Sequence, residues 1–212
     1  MKIKTLLVGL TIPLTGFAQS FQVVPQELPN PDNVPAPCHP VPHKRQILWN
    51  ETEFYAFFHY GMNTFTGNEW GHGTDSPELF NPSELDCEQW VKALKDGGFK
   101  MALITAKHHD GFCLWPTKTT DHCVKNAGNE FGKQTNIPKD FAEAAKELKL
   151  KYGFYISPWD RNSRYWGKKD ENGNYTDDYT KKVFFPQCAE AAAYGHDQFE
   201  MWFDGATGGG GY

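Results

Sequence analysis

The stretch Gln198-Phe199-Glu200-Met201-Trp202-Phe203-Asp204-Gly205 decides how the chain is read: a short apolar strand runs into a carboxylate, and a glycine turns the chain away at once. Asp204 would then stand at the mouth of a sheet. In a (β/α) barrel that mouth is where the βα loops build a site, whereas in isolation an Asp here serves equally as the cap of a following turn or helix. The other apolar runs decide between the two.

Three such runs precede it. Phe54-Tyr55-Ala56-Phe57-Phe58-His59 ends at Tyr60-Gly61, Met101 to Thr105 runs into Lys107-His108-His109-Asp110-Gly111-Phe112, and Gly153 to Ser157 ends in Pro158-Trp159-Asp160-Arg161-Asn162. Amphipathic segments separate them. Asp86 caps a predicted helix that runs to about Asp96 and closes at Gly97-Gly98. Pro138 and Asp140 open a second over Phe141 to Leu150, and a third runs from about Asp177 to Tyr194, where Pro186 kinks or splits it. A short helix is predicted over 47–53, and the stretches Met62–Asn81 and from Phe112 to about Lys139 read as irregular loops.

Strands alternating with helices, each strand apolar enough to be buried on both faces, predict a parallel sheet built from right-handed βαβ units. The expected fold is α/β: four βα units over residues 47–212, the N-terminal half of a (β/α)8-type barrel. Residues at positions 59, 109, 157 and 204 recur about every fifty residues at strand ends, as successive βα units would place them. A doubly wound sheet would also gather ligands there. No GxGxxG or Walker motif follows any strand, however, and Gly208–Gly211 lacks the helix that a phosphate cradle needs. Four strands are half of eight, so the chain is expected to be the N-terminal part of a longer protein.

Among its 212 residues, 39% are hydrophobic and 15% aromatic, enough to build a core and also to supply flat rings for sugar faces. A net charge of -5 supplies no basic field, which argues against nucleic acid and anionic membranes as partners. Lys2 and Lys4, an apolar run from Leu6 to Leu14 and Gly16-Phe17-Ala18 read as a cleaved secretory signal over residues 1–20, predicting a secreted or periplasmic protein. Residues 21–46 carry seven prolines and read as an extended arm without helix, with His39 and His43 in solvent. Export permits disulfides, but a domain of this size does not need them; Cys38, Cys87, Cys113, Cys123 and Cys188 read mainly as buried thiols, Cys113 and Cys123 being the one pair near enough to suspect.

Imidazoles and carboxylates gathered at strand ends admit two enzymatic readings. His59, His108, His109 and Asp204 could ligate a divalent ion, but adjacent residues on an extended strand point to opposite sides, so His108 and His109 would reach one ion only across a sharp turn. No cofactor or metal is therefore expected. Alternatively, an ionised Asp attacks an anomeric carbon while His side chains hold ring hydroxyls and Trp faces stack on the sugar; this also needs a second carboxyl as acid/base. A non-catalytic sugar-binding protein is the third possibility. His72, His122 and His196 read as surface or capping residues, and Asp110 as the holder of a turn.

Five motifs carry a resemblance: Tyr55-Ala56-Phe57-Phe58-His59-Tyr60-Gly61, Asn68-Glu69-Trp70, Lys107-His108-His109-Asp110-Gly111-Phe112, Ser157-Pro158-Trp159-Asp160-Arg161-Asn162 and Met201-Trp202-Phe203-Asp204-Gly205. In this order, over about residues 47–212, they resemble the α-L-fucosidases of glycoside hydrolase family 29. The resemblance implies an exo-acting retaining enzyme on a (β/α)-type barrel, acting on fucosylated oligosaccharides or glycoconjugates, with Asp204 as nucleophile. It further implies that His59, His108 and His109 bind fucose hydroxyls, that Glu69 and Trp70 contact the sugar from a loop, and that Trp202 flanks the nucleophile. Trp159 and Asp160 resemble the form found in the branch acting on α-1,3/1,4 linkages. The family's acid/base comes from a loop beyond the fourth strand, so it is expected past residue 212 and the chain alone is expected to be inactive.

Overall fold

A computed structural model describes residues 40–195 and 197–205. The chain divides into two units, Met1–Pro42 and His43–Tyr212. The expected signal segment, most of the expected arm, Cys38, His39, His196 and the glycine run fall outside the described residues.

The second unit runs α1 (Lys44–Asn50), β1 (Tyr55–Phe58), α2 (Met62–Thr66), α3 (Cys87–Asp96), β2 (Met101–Lys107), α4 (Glu130–Lys133), α5 (Ile137–Glu147), β3 (Lys151–Ile156), α6 (Phe185–Ala192) and β4 (Glu200–Trp202). The four strands are parallel and lie in sequence order, β1-β2-β3-β4. A doubly wound sheet reverses its order at a switch point, whereas an unbroken order with right-handed crossovers is the progression of a barrel. One contact shows the curvature directly. Phe57 on β1 and Trp202 on β4 stand on opposite edges, yet their rings meet at 5.4 Å. Two intervening strands would hold them on the order of 14 Å apart in a flat sheet, so the sheet curls with these side chains inside.

On the outer face, Ala102, Ile104, Ala106, Phe154 and Ile156 pack against Val91 of α3 and Phe141, Ala142 and Ala145 of α5. Each helix starts where the sequence provides a cap: Asp86 accepts from Gln89 N–H before α3, and Asn136 accepts from Lys139 N–H before α5. Because Pro138 sits in the first turn of α5, where its missing N–H costs nothing, that helix opens at Ile137, a few residues earlier than predicted.

Several expectations are corrected. Only β2 and β3 are buried throughout their apolar residues; β1 and β4, the sheet edges, are half-buried. The first helix begins at Lys44, inside the stretch read as helix-free, because His43 follows the last proline and accepts from Arg45 N–H while Gln46 accepts from His43 N–H. The loops read as irregular contain α2, α4 and two short 3-10 turns. The long third helix is not split at Pro186: it runs unbroken over 178–192, with π geometry over Thr180–Phe184 leading into α6, whose first turn holds the proline. Cys87, Cys113, Cys123 and Cys188 are free thiols, so Cys113 and Cys123, neighbours across an isolated bridge, do not pair covalently.

Candidate active site

At the carboxyl end of the curled sheet, Asp204 follows β4 by two residues and is half-exposed, with 51% of its side chain open. Tyr155, whose side chain points inward from β3, donates its hydroxyl to Asp204 Oδ2 at 2.9 Å. His109 Nε2 lies 3.7 Å from the same oxygen, while its Nδ1 is 2.6 Å from Ser157 Oγ. The hydroxyl of Ser157 also accepts from Trp159 N–H at 3.0 Å, and Trp159 Nε1 donates to Gly205 O at 2.6 Å. Nucleophile candidate, histidine and indole are thus tied into one frame by the ends of β2, β3 and β4.

His108 and His109 do converge, against the alternation argued from an extended strand. β2 ends at Lys107, and the chain turns immediately, with Gly111 N–H donating to His108 O and Gly111 in the left-handed region at φ 87°. Their ring centroids are 4.4 Å apart. The His108 ring stacks on Tyr155 at 5.5 Å and meets His59 edge-on at 5.8 Å, while His59 stacks on Phe57 at 4.6 Å. Among the described residues, no group of three or more His, Cys, Asp or Glu could hold a metal ion.

Burial depresses the protonation of all three imidazoles. His108 is held down to about 4, by burial first and by His109 and His59 beside it, with Asp204 opposing. Burial also lowers His59 and His109 against the pull of Asp204. All three are therefore neutral at pH 7, and the His109–Asp204 contact is then a dipole against a carboxylate rather than an ion pair. A neutral imidazole offers one donor and one acceptor, which suits sugar hydroxyls.

Trp70 stands over this frame, half-exposed, edge-on to His109 at 5.4 Å and to Trp159 at 6.2 Å. Trp202 lines the interior against Phe57. His59, Glu69, Trp70, His108 and Asp110 border a cavity of about 450 Å³, whose walls do not include Asp204, His109 or Trp159. A larger cavity of about 1260 Å³ takes in Asp75, Glu78, His122 and Arg164 but none of the predicted site residues.

Asp160 does not join the cluster. It is 2% exposed and faces inward, with Lys107 Nζ at 3.3 Å and Ser163 N–H donating to it at 2.9 Å. His122 is not at the surface either: it is 4% exposed, edge-on to Phe112 and 3.9 Å from Asp110. Asp110 accepts from Phe112 N–H and so holds its turn, and burial pushes its carboxyl up to about 6. Ser157 is missing from the predicted site residues, and Tyr155, which resembles a tyrosine of the family in this strand, has no role assigned from the sequence. The signal for both was the period of two along β3, which puts 153, 155 and 157 on the face opposite the helices.

Neutral imidazoles, two indoles and an exposed carboxylate thus stand together at the end of a curled parallel sheet on a (β/α) scaffold. The sequence profile of the family described as Alpha-L-fucosidase matches residues 39–209, and the chain belongs to that family. Alpha-L-fucosidase 1 of Arabidopsis thaliana is 40% identical over 176 residues, which is 83% of this chain and 33% of that protein. The crystal structure of a putative alpha-L-fucosidase from Bacteroides ovatus superposes with a TM-score of 0.71 at 48% identity, covering 78% of this chain and 27% of that one. A Ruminococcus gnavus family 29 fucosidase solved in complex with fucose superposes with a TM-score of 0.64 at 37% identity, covering 82% of this chain and 38% of that one. The chain thus spans about a third of the length of these relatives, and like them it has the fold of a (β/α)8 barrel domain, in part.

Proposed function

We infer that the protein is an exo-acting, retaining α-L-fucosidase in which Asp204 is the nucleophile. The observation that carries this is the Asp204 carboxylate itself: half-exposed, held by the Tyr155 hydroxyl at 2.9 Å, and bordered by neutral imidazoles. In this reading an Asp204 oxygen attacks the anomeric carbon, the bond to the leaving oxygen breaks, and water later hydrolyses the glycosyl ester. His59, His108 and His109 hold fucose hydroxyls, Glu69 reaches the sugar from its loop, and Trp70, Trp159 and Trp202 provide apolar faces. Membership of the fucosidase family and the fucose complex of the Ruminococcus relative support the choice of sugar.

The leaving oxygen also needs a proton donor. Asp110, in the cavity wall, and Asp160 are each 2% exposed, and Glu69, exposed in the same wall, is kept as a sugar contact, so none of the three is assigned that part; the acid/base in this reading is a carboxyl from a loop outside the described residues. The substrate is a fucosylated oligosaccharide or glycoconjugate met outside the cytoplasm after export. An α-1,3/1,4 preference rests on Trp159 alone, given the inward turn of Asp160.

The test is release of L-fucose from an aryl α-L-fucoside by the complete protein. Asp204→Ala should lower kcat by at least ~10³-fold, with partial recovery in azide. An Asp204→Ala enzyme as active as the native one overturns the assignment.

A further inference from the structure

One residue of the β3 loop reaches the loops that follow β1 and β2. Arg161 N–H donates to His109 O at 3.0 Å, and Arg161 Nη1 donates to Gly71 O at 3.1 Å. Its guanidinium carbon is 5.9 Å from the Trp70 ring centroid and 5.7 Å from that of Trp159, so the cation faces both indoles. The next residue repeats the link, Asn162 Nδ2 donating to Gly73 O at 2.8 Å.

The two loops meet backbone to backbone. Gly73 is in the left-handed region, and a Cβ on it would lie 2.5 Å from Arg161 C and 2.5 Å from Asn162 N. A Cβ on Gly71 would stand 2.8 Å from Asp110 Cβ. The segment carrying Glu69 and Trp70 is therefore pinned at 71 and 73 by the β3 loop, and at its other end by Asn63 Nδ2 donating to Glu69 O at 3.3 Å. Trp70, half-exposed at the rim, takes its place over His109 from these anchors.

We propose that Arg161 is a positioning residue, clasping the Glu69–Trp70 loop to the β2 and β3 loops so that the Trp70 indole stands fixed beside Asp204's mouth as a platform for the sugar. It rests on the fucosidase reading above for its kinetic consequence, though not for its structural one. Arg161 touches no reacting atom; it acts through Trp70. Its planar fork both donates to a carbonyl and lies against rings, and lysine can do only part of this, so Arg161→Lys keeps the charge and the stem while losing the clasp.

The experiment is a double-mutant cycle in the complete protein with Arg161→Lys, Trp70→Ala and the pair, each checked for a native melting transition. Arg161→Lys should raise KM for the fucoside about tenfold with kcat within about twofold, the pattern of lost positioning without lost chemistry. In the Trp70→Ala background the same change should do almost nothing, because its effect passes through the indole. An unchanged KM in Arg161→Lys, a fall in kcat alone, or additive effects in the pair would overturn the proposal. A readout independent of turnover separates this from failure of the fucosidase reading: acrylamide quenching of Trp70, taken by difference from Trp70→Phe, should rise in Arg161→Lys, and unchanged quenching overturns the clasp whether or not the protein hydrolyses fucosides. Absence of fucoside hydrolysis by the native protein, with quenching raised as expected, leaves the clasp standing and removes the fucosidase reading alone.

Discussion

The Tyr155 hydroxyl and the Asp204 carboxylate are joined by a 2.9 Å hydrogen bond between neighbouring strands, β3 and the end of β4. The donor cannot be lost by ionisation near neutrality, since burial first, and then the adjacent Asp204 carboxylate, pushes the phenol well above its ordinary range. Its removal is therefore a clean test. A hydrogen bond to a charged group contributes about 1.5–3 kcal/mol. Tyr155→Phe should lower kcat/KM for an aryl fucoside by about 10- to 100-fold while leaving the melting temperature nearly unchanged, because the ring still packs against Phe57 and His108. Steady-state kinetics with a parallel melt measures both.

Ser157 holds the far side of His109, with Oγ 2.6 Å from Nδ1, and so fixes which ring nitrogen carries the proton toward Asp204. Ser157→Ala should free the imidazole to change tautomer and swing. The expected outcome is a rise in KM of about tenfold, near the value of one buried hydrogen bond, with a smaller change in kcat. Kinetics on Ser157→Ala and on the near-isosteric Ser157→Cys would show whether the loss follows the hydrogen bond or the volume.

Acid should destabilise the fold, and the sign follows from the depressed histidines. His108 and His122 both protonate only near pH 4 in the folded chain, each because burial disfavours its charge. In the unfolded chain they protonate near 6.5. Between about pH 6.5 and 4 the unfolded state thus binds more protons, so stability falls as pH falls through that window. Asp110 acts oppositely: its carboxyl, raised to about 6 by burial, gives the folded state an extra proton between about 6 and 3.8. Burial raises Asp140 and Asp160 as well, so three carboxyls oppose four imidazoles, His59 and His109 being lowered alongside His108 and His122, and the imidazoles prevail. Urea unfolding at pH 7 and pH 5 should show the lower midpoint at pH 5, and His122→Gln should reduce the difference.

The strand order, the alternation of helices and the strand-end residues were legible because each rests on a local pattern: an apolar run, a cap, a glycine at the turn. The neutral state of the imidazoles and the fit of His108 beside His109 were not, since a sharp turn after β2 overrides the alternation that an extended chain would impose. Asp160 shows the limit most plainly. Its place after β3 marks it as a site residue, yet its partner Lys107 is at the end of β2, and only the register of two parallel strands brings them together. Tyr155 is the reverse case: an apolar run hides a hydroxyl whose use appears only once β4 lies alongside.

Lys107 is the buried charge on which the β2 and β3 loops depend. It is wholly inaccessible, and its ammonium has Asp160 Oδ2 at 3.3 Å, Tyr179 OH at 2.8 Å and Gln187 Oε1 at 2.9 Å. Burial alone would strip its proton, but Asp160, with Tyr179 and Cys113 adding to it, outweighs that and holds the lysine above its ordinary range. Removing the cation leaves a buried carboxylate beside unpaired polar groups, which costs about 3–5 kcal/mol in comparable pairs. Lys107→Met should therefore lower the unfolding free energy by about that amount. Adding Asp160→Asn to it should restore part of the loss, because the stranded charge is gone. Chemical denaturation of the single and double variants measures the coupling, and a Lys107→Met variant as stable as the native protein would mean that the network contributes nothing to holding the loops that carry His109 and Trp159.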